Sequence, residues 1–178
     1  MSTIDLIVLG LVKQQPQGAY DIQKELESRS ISRWVRVSVP SIYKKVIQLE
    51  EKGYIQGSIT KAGKMPEKAI YQLTEKGETY FLELMEKISD QTVNIFLDLN
   101  SVIVNLDSVP LETKLKCLNQ IEANILDLTE TLNRNIIAKP NSPMIGRSVL
   151  EQQFSLAESL KNWIGQLKSQ FEEKPGVE

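Results

Sequence analysis

A chain of 178 residues, 41% hydrophobic and 25% charged, has the balance of a folded globular protein and room for one or two compact units. It contains no histidine and one cysteine, Cys117, which excludes Cys/His zinc sites, histidine-activated nucleophiles and any internal disulfide. The net charge of -2 conceals an asymmetry: residues 1–80 carry 12 Lys+Arg against 9 Asp+Glu, residues 81–178 carry 9 against 14, and the stretch 29–68 alone carries 9 against 3.

A local positive excess of that size is what a polyanionic partner selects. Gly53, Gly57 and Gly63 are too widely spaced for a phosphate-binding loop. No apolar run approaches the roughly 18 residues of a membrane span, and the first residues lack the basic start and apolar centre of a secretory signal. The expectation is a cytoplasmic protein that is not an enzyme, with no cofactor, no metal site and no membrane association.

Ser2 and Asp5 have the spacing of a capping box, and Ile4, Ile7, Val8 and Leu11 then recur at helical intervals. "KQQPQG" (13–18) ends this short helix, and a second runs from about 19 to 29 with Ile22 and Leu26 inward. "SISRWVRVSV" (30–39) has no helical stripe and reads as an extended connection, with Trp34 as a core anchor. Pro40 sits in the first turn of a third helix, where its missing N–H costs nothing, and Lys52-Gly53 closes that helix. Residues 54–59 read as a strand, "TKAGKMPEK" (60–68) as a turn and 69–73 as the returning strand, which makes a β-hairpin with a basic tip. Thr74 and Glu75 begin another helix.

Ile42, Val46 and Leu49 form the apolar stripe of the third helix, while Ser41, Tyr43, Lys44, Lys45 and Gln48 occupy the rest of its circumference. The order helix, helix, basic helix, basic hairpin is that of a winged helix-turn-helix, whose third helix lies in the major groove. On that reading Ser38, Ser41, Tyr43, Lys44, Lys45 and Gln48 approach base edges or phosphates of double-stranded DNA, and Lys61, Lys64 and Lys68 neutralise phosphate from the hairpin. Taken singly, such lysines are ordinary solvated surface or edge protection, and it is their order along the chain that points to DNA.

Four pieces of this region, "IVLGLV" (7–12), "PQGAYDIQKELE" (16–27), "VPSIYKKVIQLEEKGYI" (39–55) and "IYQLTEKG" (70–77), stand in the order and at the spacing of the PadR family of bacterial transcriptional regulators, which the first 80 residues resemble. In that family the pattern around Ser41, Ile42 and Tyr43 opens the recognition helix, and Leu73 to Gly77 leaves the wing. The chain departs from the pattern at Ala19, where a glycine is usual, at Ile70, where an aromatic is usual, and at Ile47-Gln48, where basic residues are frequent. The last departure moves positive charge to Lys44 and Lys45. It also leaves open a second reading of the module, a protein-interaction adaptor without DNA binding. The resemblance implies a repressor; a small-molecule effector is expected because a ligand that changes the spacing of two tethered modules weakens binding without touching DNA.

From 78 onward helix propensity dominates. A first helical stretch covers about 78–105 with a break near Ser89-Asp90, and Asp107 to Pro110 restarts a helix. Leu111, Leu115, Leu118, Ile121, Ile125, Leu128, Leu132 and Ile136 then follow at threes and fours, "KPNSPMIG" (139–146) interrupts, and Leu150, Phe154, Ala157, Leu160, Ile164, Leu167 and Phe171 repeat the pattern. Leaving even three such Leu or Ile side chains in water forgoes roughly 5 to 9 kcal/mol, so a second copy of the chain is the expected cover. The contact set for a homodimer is Leu115, Leu118, Ile125, Leu128, Leu132, Phe154, Ile164, Leu167 and Phe171; an intramolecular bundle that uses both stripes is the alternative. Phe96 and Trp163 are candidates to line an effector site. Cys117 lies beside the Leu115–Leu118 stripe and reads as a packed side chain rather than a thiol sensor.

The expected architecture is mostly α with a small β-hairpin wing: a winged helix-turn-helix DNA-binding domain over 1–77 and a helical dimerisation domain over 78–178.

Overall fold

The computed structural model describes residues 3–33, 35, 37, 39–60, 68–138, 140–141 and 143–172. Seven helices and one antiparallel hairpin follow one another among these residues: α1 (Thr3–Gln14), α2 (Ala19–Ser28), α3 (Ile42–Glu51), β1 (Ile55–Thr60), β2 (Lys68–Leu73), α4 (Glu75–Ser89), α5 (Asn100–Ile103), α6 (Leu111–Ala138) and α7 (Met144–Glu172). The chain divides into two compact units, Met1–Val93 and Asn94–Glu178. None of the described helices is long and apolar enough to cross a membrane.

In the first unit the core forms where the helical stripes meet. Val8, Leu9, Leu11 and Val12 of α1, Ile22 and Leu26 of α2, and Ile42, Val46 and Leu49 of α3 are all buried in one cluster with Ile31, Ile55, Tyr71 and Leu84. The connection read from sequence as extended instead holds 3-10 turns at Ile31–Arg33 and Val39–Ser41, the first of which carries Ile31 into the core. Trp34 lies outside the described residues. Leu84 is buried in this same cluster, and Tyr80 and Phe81 pack against it, so α4 is part of the first unit, which extends past the end of the hairpin to Val93.

A left-handed turn sets where α3 stops and the wing begins. Gly53 has φ +72, its N–H donates to the Glu50 carbonyl at 2.8 Å, and the Tyr54 N–H donates to the Leu49 carbonyl at 2.9 Å, the paired closure that favours glycine one residue past a helix end. β1 and β2 then pair from Ile55↔Leu73 to Thr60↔Lys68. Gln17 adds a single bridge to this sheet: it exchanges main-chain hydrogen bonds with Tyr71 at 3.2 and 3.1 Å, and its buried amide donates to the Leu11 carbonyl at 3.0 Å.

The return from wing to helix is built around Thr74. Its hydroxyl donates to the Gly53 and Tyr54 carbonyls at 2.7 and 3.1 Å and accepts the Gly77 N–H at 3.0 Å, which caps α4. A Cβ on Gly77 would stand 1.9 Å from the Tyr54 carbonyl oxygen, so the close approach that this cap makes possible requires glycine. The "LTEKG" piece is thus a device that staples the hairpin's two ends together.

In the second unit α6 and α7 form a helical hairpin. Lys114 lies over the Phe171 ring and Lys168 pairs with Glu122, so rising numbers on one helix meet falling numbers on the other. Leu118, Ile121, Ile125 and Ile164 are buried along their contact with Leu106, and Leu99, Ile103, Cys117, Leu160, Trp163, Leu167 and Phe171 pack around them. Of the helical stretch expected over 78–105, the break near Ser89-Asp90 falls where α4 ends, but helix does not resume directly after it: residues 92–97 are irregular, and only Asn100–Ile103 is helical again. Thr92, Val93 and Ile95 are β-branched, which weakens helix propensity, and Val93, Ile95 and Phe96 are exposed, so no packing offsets that weakness.

Candidate nucleic-acid interface

On α3 the division of faces is sharp. Ile42, Val46 and Leu49 are buried, while Tyr43 (46% exposed), Lys44 and Ile47 (52% exposed) point away from the core, with Gln48 half-buried beside Lys44. Ser41 ends the short turn that leads into the helix. Ser38, Lys61 and Lys64 lie outside the described residues, as does the side chain of Lys68, whose backbone opens β2 opposite Thr60.

Lys45 is not presented like Lys44. Its ammonium pairs at 2.8 Å with the Asp5 carboxylate of α1, and both side chains are largely covered. Asp5, only 3% exposed, also accepts a hydrogen bond from the Tyr80 hydroxyl of α4 at 3.3 Å. Burial raises the Tyr80 hydroxyl above its ordinary pKa, and the Asp5 carboxylate adds to the effect by opposing a second negative charge. The Tyr80 ring stacks on Tyr54 at 4.2 Å between centroids, and Lys76 lies over Tyr54 at 5.0 Å while donating to the Lys52 carbonyl at 2.7 Å. The recognition-helix position is therefore tied to α1 and α4 by an ion pair and a hydrogen bond that meet at one buried carboxylate.

The role of Asp5 escapes a reading made from local pattern, in which it passes for a capping acid. The available signal is its spacing: Asp5, Val8, Leu9 and Val12 share the buried side of α1, and a carboxylate on an apolar face requires a partner. A second covered tyrosine, Tyr71, has its hydroxyl raised first by burial and then by Glu50, whose carboxylate accepts the Gly57 N–H at 3.0 Å.

Among the residues expected at a subunit contact, Leu118, Ile125 and Ile164 are buried between α6 and α7 of the same chain and cannot be offered to a partner. Leu115, Leu132, Phe154, Leu167 and Phe171 are half-buried, and Leu128 is 45% exposed. The two candidate effector residues are differently placed: Phe96 is 78% exposed in a concave patch with Ile95, Leu97, Asp98, Asn100 and Ser101, whereas Trp163 packs against the core of the second unit.

Three helices closed by a two-stranded wing define the first unit as a winged helix-turn-helix module. Residues 8–83 match the model of the transcriptional regulator PadR-like family, and this winged-helix unit belongs to that family. Solved structures extend the fold likeness to nearly the whole chain. Bacillus subtilis PadR in complex with operator DNA is 16% identical with a TM-score of 0.82, covering 96% of this chain and 99% of that one. The same Bacillus subtilis protein in complex with p-coumaric acid gives 14% identity and 0.79 over 98% and 99%. The Vibrio cholerae virulence activator AphA gives 14% and 0.71 over 96% and 99%. No curated protein matches the chain by sequence.

Proposed function

We propose that this protein is a DNA-binding transcriptional regulator that acts as a homodimer on an inverted-repeat operator and is released by a small-molecule ligand, as a repressor. The observation that carries the reading is α3, which locks one face into the core and turns Tyr43, Lys44 and Ile47 outward, in a fold that aligns along its length with an operator-bound relative. The net positive charge of residues 29–68 favours approach to phosphate.

The homodimer is supported by apolar side chains that the second unit leaves exposed, among them Leu111, Leu126, Leu128, Ile137 and Leu156. A two-fold dimer places two recognition helices on successive half-sites, and tethering raises the affinity above that of one module alone. Repression is carried over from the family resemblance, and response to a small molecule is favoured by the p-coumaric acid complex of the Bacillus subtilis protein. The domain roles follow: the first unit contacts DNA and the second joins the subunits.

A gel-shift titration over ionic strength tests the reading. Affinity for duplex DNA is expected to fall linearly on a log–log scale, with a slope of about 0.9 for each phosphate neutralised. A flat response, or no binding, would favour a protein-interaction adaptor.

A further inference from the structure

We infer that Ile47 is a specificity-determining residue that reads thymine methyl groups in the major groove; the inference rests on the DNA-binding reading above. Ile47 stands in the middle of α3, one turn on from Tyr43 and Lys44, and shares their exposed face. The buried stripe of Ile42, Val46 and Leu49 already supplies the packing of this helix, so the fold does not need Ile47 to be apolar.

A lone exposed isoleucine elsewhere on the surface calls for no explanation. On this face the circumstances differ, because in a winged helix-turn-helix the outward side of the third helix lies in the major groove. Isoleucine neither donates nor accepts a hydrogen bond, and it gains nothing beside a phosphate. The one apolar group that base edges present in the major groove is the C5 methyl of thymine. Burying the Ile47 side chain against that methyl removes apolar surface from water on both partners. Its β-branch restricts χ1 in a helix, so little side-chain freedom is lost on contact. Lys44, one turn before, supplies the hydrogen-bond donor and charge for a neighbouring guanine or phosphate.

The test uses the full-length protein. A preferred duplex is selected from a random library, and 2′-deoxyuridine is then substituted for thymidine, one position at a time, which deletes only the methyl group. At one or two positions the substitution is expected to weaken wild-type binding about four-fold, the ratio that corresponds to one buried methyl. Ile47→Ala, which sits on an exposed face and keeps a good helix former, is expected to bind the thymine and uracil duplexes equally, and Ile47→Val to retain most of the discrimination. If no single replacement affects the wild type, or if Ile47→Ala loses as much as the wild type does, the assignment of Ile47 is overturned while DNA binding stands. Failure of the wild-type protein to bind or select any duplex would instead overturn the DNA-binding reading, and the role of Ile47 with it.

Discussion

The first unit closes its core around short helices and fixes them with polar groups that reach across the sequence: Asp5 to Lys45 and Tyr80, Gln17 to Tyr71, Thr74 to Gly53. The second unit is held along one seam, where Leu118, Ile121, Ile125 and Ile164 meet between α6 and α7, and it leaves Leu and Ile exposed along both helices. A pinned module keeps a recognition surface in one geometry, since each buried polar group is costly unless its partner stays in place. A seam of apolar contacts specifies less, and it leaves surface to be covered by a further chain.

The largest effect is expected from breaking a pin that has no room to relax. Gly77→Ala drives a methyl into the Tyr54 carbonyl, and chemical denaturation should show a loss of roughly 4 kcal/mol or more for the first unit. The seam of the second unit sharpens the comparison through a pair of variants. Ile164→Ala opens a cavity in a fully buried position and should cost about 3 kcal/mol of protomer stability. Leu128→Ser should leave protomer stability nearly unchanged yet shift size-exclusion elution toward the monomer; an unchanged elution volume would contradict the proposed role of this face.

Next come the two adjacent lysines. Lys45→Ala takes the cation away from a buried carboxylate and should destabilise the first unit by about 2 kcal/mol, an effect that Asp5→Asn combined with Lys45→Met should partly relieve. Lys44→Ala should leave the melting curve in place and lower the salt dependence of DNA binding by about one phosphate contact. Equal stability losses for the two would dissolve the distinction between pin and surface. The smallest effect lies at alkaline pH. The Tyr80 hydroxyl holds its proton more tightly folded than unfolded, so its contribution is complete below the ordinary tyrosine range and is lost as pH rises through the raised folded value. Tyr80→Phe should therefore flatten the decline in melting temperature above about pH 10, and a decline as steep as that of the wild type would contradict the assigned burial.

What the sequence made legible was what repeats locally. The stripe Ile42, Val46, Leu49 orients α3 correctly, and Pro40, Gly53 and Thr74 bound the recognition helix and the wing to within a residue or two. Lys45 and Asp5 were out of reach because their ion pair spans α1 and α3, and no local period encodes it. The stripes of α6 and α7 show a different limit. Periodicity says that Leu118 and Leu128 belong to apolar faces, yet only the packing tells that one is consumed inside the protomer and the other is not. The irregular stretch 92–97 was read as helix because residues on either side favour helix, and β-branched residues without a core to bury them settled the matter locally.

The bridge between Gln17 and Tyr71 couples two distant parts of the first unit. Tyr71 belongs to the returning strand of the wing, so the short segment after α1 keeps its two main-chain hydrogen bonds only while that strand is in place. The main-chain amides of Gln17 and Tyr71 should thus share one opening event and show matching protection factors against deuterium exchange, although more than fifty positions separate them along the chain.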